Sequence, residues 1–175
     1  MTENASVVAT FTDHHEAEIA VRKLADAGID IKQLSIVGQG YHTDEKAVGF
    51  YNAGDRIKFW GKRGAFWGGL WGWFAGGIFL AVPGVGQVVV LGYLATALIA
   101  AIEGAVVVGG LSALGAALYS RGIPKDSVIA YENSLKADAF LVMAHGSSEE
   151  IARAQIVLGS LKQSSIGLHE GKLAA

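Results

Sequence analysis

The sequence contains no cysteine, which excludes disulfides, thiolate catalysis and zinc–thiolate sites. It also lacks a basic excess. Fourteen Lys and Arg against sixteen Asp and Glu leave a formal charge of -2, and nucleic-acid-binding domains ordinarily present a basic face, so nucleic acid is not an expected partner. Residues 1–6 are polar, with no basic segment ahead of a hydrophobic run, so a cleaved secretory signal is not expected. The most informative shortage is local. Between residues 64 and 120 the one formal charge is Glu103, whereas the flanking segments carry charges at ordinary density. A helix at a protein surface needs a polar face, so the chain reads as soluble, apolar, soluble.

The outer segments carry an α+β pattern. Residues 7–11 are apolar and β-branched, a strand. Asp13 with Glu16 three residues later has capping-box spacing; Ala17, Ala20, Val21 and Leu24 then recur at helical spacing, and Gly28 stops the helix. Residues 34–38 are a second strand, with Leu34 and Ile36 on one face. The C-terminal part repeats this order: a strand over 139–144, a helix over 147–161 and a strand over 165–169. Its helix has capping-box spacing at Ser147 and Glu150 and an apolar stripe of Ile151, Ala154, Leu158 and Leu161. Two β-α-β halves predict a ferredoxin-like sheet of strand order 4-1-3-2. The continuous apolar runs at 7–9 and 140–143 suit central strands, and the alternation at 34–36 and 165–168 suits edges.

The segmentation that follows is 1–57 for the first half of a cytoplasmic α+β domain, 58–121 for an inserted apolar helical hairpin, and 122–175 for the second half. Residues 64–82 are long enough to cross a bilayer. The run breaks at Pro83-Gly84-Val85-Gly86, and a second helix is expected from about 87 to about 120. A three-segment version with a re-entrant piece stays open. Basic residues on both sides, Arg56, Lys58, Lys62 and Arg63 before and Arg121 and Lys125 after, put both ends in the cytoplasm and predict two crossings of a bacterial inner membrane. Arg56, Lys58, Trp60, Lys62 and Arg63 are candidate contacts to lipid headgroups.

Gly64, Gly68, Gly72 and Gly76 fall four residues apart, and Ala105, Gly109, Ala113 and Ala117 repeat that spacing. Small-residue stripes of this kind let helix backbones approach closely, so these eight positions are candidate packing sites, within the hairpin or between subunits. Trp60 and Trp67 fit an interfacial aromatic belt, while Trp71 and Trp73 lie deeper. Glu103 is a candidate polar site inside the apolar block, since a charged acid costs about 2.5–3.5 kcal/mol at a helix centre on insertion scales. The competing reading makes it the headgroup boundary.

Several stretches resemble a known group: Gly54-Asp55-Arg56-Ile57-Lys58-Phe59-Trp60-Gly61-Lys62, the run from Gly64 through Gly72, Ile102-Glu103-Gly104-Ala105, residues 109–115 and Gly122-Ile123-Pro124-Lys125-Asp126-Ser127-Val128. They are similar to the bacterial heat-induced general-stress-protein-like family, small membrane-associated proteins sometimes labelled permeases. The resemblance covers nearly the whole chain. It implies a bacterial origin and a stress association, with no catalytic residues to carry over. Two crossings per chain give no transport path without oligomerisation.

No catalytic residue, metal ligand, cofactor or small-molecule substrate is expected. His14, His15, Glu16 and Glu18 cluster at a helix start, which is more often a solvated terminus than a metal site. His42 and His145 have no evident partners. Gly38-Gln39-Gly40 lacks the lysine and glycine pattern of a phosphate loop. The expected protein is a non-enzymatic membrane homo-oligomer whose partners are itself and lipid. Two rivals are a homo-oligomeric cage or ring that buries its apolar hairpins, and an oligomeric channel lined by Glu103.

Overall fold

The computed structural model describes residues 4–39, 74, 77–82, 84–103 and 111–170. β1 (Asn4–Phe11) leads to α1 (His14–Asp26), and a 3-10 turn at Ile31–Gln33 precedes β2 (Leu34–Gln39). β3 (Gly77–Val82) and β4 (Gly86–Gly92) follow, then α2 (Tyr93–Glu103), α3 (Ala113–Ser120) and α4 (Lys125–Lys136). β5 (Phe140–Ser147), α5 (Ser148–Gly159) and β6 (Ser165–Glu170) complete the elements. One sheet gathers all six strands in the order β3-β4-β2-β5-β1-β6, with every neighbouring pair antiparallel.

Local chemistry explains the flanking elements. Asp13 caps α1 by accepting from the His15 N–H at 2.6 Å, and Glu16 takes no part in a capping box. The stripe Ala17, Ala20, Val21 and Leu24 is buried. Ser147 and Glu150 form the reciprocal capping box at α5, and Glu150 is held below the usual carboxylate range by the Ser147 backbone N–H, the Ser147 hydroxyl and Gln33. α4 was not anticipated from the sequence. Its signals are Pro124 at the N-cap, Asp126 in the first turn and the buried series Val128, Tyr131 and Leu135.

Both faces of the sheet are covered. On one face α1 and α5 pack over Val7, Phe11, Ile36, Leu91, Phe140 and Val142. On the other, α2, α3 and α4 pack over Val8, Val37, Val88, Val90, Leu141 and Met143. β2, expected at an edge, is instead interior and buried at every position, because β4 pairs with its outer side.

The inserted block is where expectation and structure part. The spanning helices predicted over 64–82 and 87–120 are replaced, among the described residues, by a β-hairpin and two short helices. No helix among the described residues is long and apolar enough to cross a membrane. α2, at 11 residues, rises roughly 16 Å, about half a bilayer core. The inner-membrane placement and the two-crossing topology are thereby corrected. Val88-Val89-Val90 is β-branched and favours a pleated strand, and Gly84, at a φ of +79°, sits in the turn closed by the Val85 N–H to the Val82 carbonyl. Gln39 fastens that turn to β2 by donating to the Val85 carbonyl at 3.0 Å. β4 is apolar on both sides because both sides are buried, and α2 and α3 are apolar because they build the second core.

α2 begins without a loop. Gly92, at a φ of +90°, turns the chain out of β4, and Ser35 on the neighbouring strand accepts the Leu94 N–H at 2.8 Å. A strand hydroxyl therefore satisfies one of the free N–H groups that begin any helix.

Candidate functional site

Alternation along the strands places every second residue of β1, β5 and β6 on the face covered by α2, α3 and α4. Ser6 on β1 pairs with His145 on β5 and with His169 on β6, so the three form one row across the sheet. Elsewhere on this face the central strands present Val8, Val37, Leu141 and Met143, with Thr10, Ser35 and Gln39 as further buried polar residues. This row, near the start of β1 and the ends of β5 and β6, is the one that carries imidazoles.

Each histidine has its own partners. The Ser6 hydroxyl lies 3.3 Å from His145 Nδ1. The His145 ring stacks on Tyr93, the first residue of α2, with centroids 4.5 Å apart and planes at 6°. Arg121, at the C-cap of α3, lies over the Tyr93 ring with Cζ 4.9 Å from its centroid. Burial lowers the pKa of His145, and the Arg121 charge lowers it further. On the other flank, Tyr131 of α4 lies with its hydroxyl 2.7 Å from His169 Nε2 and its ring edge-on at 87°. Burial lowers the His169 pKa and pushes Tyr131 up to about 12. Gly167 makes room for this pair, since a Cβ there would come within 2.5 Å of the Tyr131 hydroxyl oxygen.

The arrangement holds two neutral imidazoles in a partly dry site, with one guanidinium beside them. Ser6 and His145 are a hydroxyl–imidazole pair, but Ser6 is buried and no carboxylate orients the imidazole among the described residues. Nothing here assembles the nucleophile, base and orienting acid of acyl transfer. Among the described residues no three His, Asp or Glu side chains converge on a metal position. Glu18, weighed with His14 as a ligand pair, instead accepts from Arg22 at 2.6 Å.

Of the small-residue stripe, Ala113 and Ala117 lie on α3, Ala117 fully buried in the second core and Ala113 exposed. Glu103 is the last residue of α2, and its side chain lies outside the described part. Gly64, Gly68, Gly72, Gly76, Ala105 and Gly109, and the headgroup candidates Arg56, Lys58, Trp60, Lys62 and Arg63, lie outside the described residues. The polar row was missed because its members are far apart in sequence. The available signal was polar residues at inward positions, Ser6 in β1 and His169 in β6, within strands otherwise suited to burial.

A pH dependence follows from the two histidines. Their folded-state pKa values lie below the ordinary 6.5, so the unfolded chain binds protons first as the pH falls. Their contribution to stability is complete above about 6.5 and is lost as the pH drops from there through the folded-state values. Urea midpoints should therefore fall on acidification below pH 6.5, and the slope should flatten in His169→Gln. An unchanged slope in that variant would show that His169 is not held neutral.

Comparison with protein-family models, with characterised proteins and with solved structures finds no match to this chain.

Proposed function

We propose that this protein is a non-enzymatic building block that assembles with copies of itself through the edge of β6, which no strand covers among the described residues. The carrying observation is the composition and exposure of that edge. β6 is the outermost strand, its residues 165–169 carry no formal charge, and Ile166 and Leu168 stand 36% and 46% exposed. Sheet edges that stay monomeric are commonly guarded by lysine, proline, a bulge or a covering element. β6 has no lysine or proline. A two-fold axis at Gly167 would pair the strand antiparallel with its mate and set Ile166 opposite Leu168 of the second copy. Main-chain hydrogen bonds would supply affinity and the four apolar side chains would fix register.

Two further elements support this reading. Taken alone, the outer strands run β6-β1-β5-β2 with α1 and α5 on one face, an order that supports a ferredoxin-like core to which β3, β4, α2 and α3 would be additions. The sequence stretches quoted above resemble the general-stress-protein-like family, which makes a stress-associated role the natural setting for such an assembly.

The test is light scattering on the purified protein and on Ile166→Lys/Leu168→Lys. Both positions are exposed, so folding should change by no more than about 0.5 kcal/mol per site, while like charges would face each other across the axis. The wild type should be a dimer or larger and the variant a monomer with a similar melting temperature. A monomeric wild type at tens of micromolar, roughly the range of weak transient pairs, would refute the proposal. An unchanged assembly in the double variant would remove β6 as the contact.

A further inference from the structure

We infer that Arg121, Tyr93 and His145 form a binding site for an oxyanion, the carboxylate or phosphate group of a small ligand. This proposal is independent of the β6 edge. Arg121 Nε is buried and has no hydrogen-bond partner among the described residues. Nor does any carboxylate there lie within ion-pair distance of its guanidinium. A buried donor without an acceptor is costly, and native proteins leave few, so such a group marks a place where an acceptor belongs.

The surroundings favour an anion over a water. The guanidinium lies against the Tyr93 ring at 4.9 Å, and that ring is in turn stacked on His145. A second titratable base therefore stands beside a permanent cation, with no carboxylate in an ion pair with it among the described residues, and burial and then the Arg121 charge lower the His145 pKa. An oxyanion beside the guanidinium would neutralise its charge and so favour the protonated form of His145. Nε–H and an Nη–H of arginine form a planar fork that fits two oxygens of a carboxylate or phosphate. Arg121, Tyr93 and His145 are each only partly buried, so small side-chain movements at the sheet's end would open Nε to an anion.

The test follows the Arg121 Nε–H resonance of the full chain in two-dimensional NMR while inorganic phosphate or acetate is added at constant ionic strength, with chloride as control. The expected result is a saturable shift with phosphate or acetate, absent with chloride, and a melting temperature that rises with anion concentration as ligand linkage requires. Arg121→Gln should weaken binding at least about tenfold, the factor for a lost charge-assisted hydrogen bond. Arg121→Lys should keep the fold and the charge yet bind more weakly than wild type, because an ammonium has no fork. If only acetate acts, the ligand is a carboxylate; if only phosphate acts, it is a phosphate ester or free phosphate. Absence of a saturable shift in the wild type, or equal affinity in Arg121→Lys and wild type, would overturn the assignment.

Discussion

Gly92→Ala should destabilise the protein more than any other single change at an exposed or half-exposed position. Gly92 occupies a φ of +90°, a region that residues bearing a Cβ rarely adopt. An added Cβ would also overlap the Leu34 carbonyl oxygen and come within 3.0 Å of Phe74 Cδ1. Leu34 belongs to an interior strand and its backbone is fixed by the sheet, so the neighbour has little room to yield. Backbone strain of this kind costs about 1–3 kcal/mol, and overpacking adds about 1–3 more. The sum is a large part of the roughly 5–15 kcal/mol that holds a domain folded. At about 2–4 °C per kcal/mol for a chain of this size, a fall in melting temperature on the order of 10 °C is expected. The loss would concentrate on α2, because Gly92 aims the chain off β4 and Ser35 then receives Leu94. Calorimetry with hydrogen exchange on α2 measures both. A melting point within two or three degrees of wild type would mean that the turn from β4 into α2 is not built this way.

Leu98→Ala tests the corrected account of the apolar block. Leu98 is wholly buried on the side of α2 that meets the sheet, and Ile99, one residue on, is 44% exposed. Removing three carbons from a packed core costs about 2–5 kcal/mol, depending on how far the cavity collapses. Ile99→Ala should cost well under half of that, since water already reaches much of its side chain. The contrast between neighbours carries the information, because both substitutions change helix propensity in the same direction. Urea denaturation of the two variants in detergent-free buffer gives the comparison. Similar losses at both positions would show that α2 has no distinct buried side.

Both outcomes bear on how much the sequence revealed. In the flanking segments, side-chain periods of 2 and 3.6 are read against one buried face, and Ala17, Ala20, Val21 and Leu24 or Ile151, Ala154 and Leu158 leave little choice of structure. Asp13 and Ser147 mark helix starts because their side-chain oxygens satisfy backbone N–H groups a few residues away. The central block offered no period, since hydropathy records that a residue avoids water and not what replaces the water. Lipid tails and a sheet face are equally apolar. Val88-Val89-Val90, bracketed by Gly86 and Gly92, carried the local signal for a strand, but the length of the apolar run outweighed it.

The candidate site was less legible still. Ser6, Tyr93, Arg121, Tyr131, His145 and His169 span most of the chain, and no motif spacing joins them. In the sequence Arg121 reads as a basic flank and His145 as a histidine without a partner, and their partners arrive through strand pairing and helix packing. What the sequence by itself determined were β1, α1, β2, β5, α5 and β6 of the outer segments, with the caps at Asp13 and Ser147 and the apolar stripes, because those rest on interactions within a few residues. Tertiary structure alone decided that the described part of the apolar block completes a second core, that β2 is interior, and that two histidines share a row with Ser6. Those outcomes depend on which distant surfaces are buried together, and burial is a property of the assembled sheet that no single segment carries.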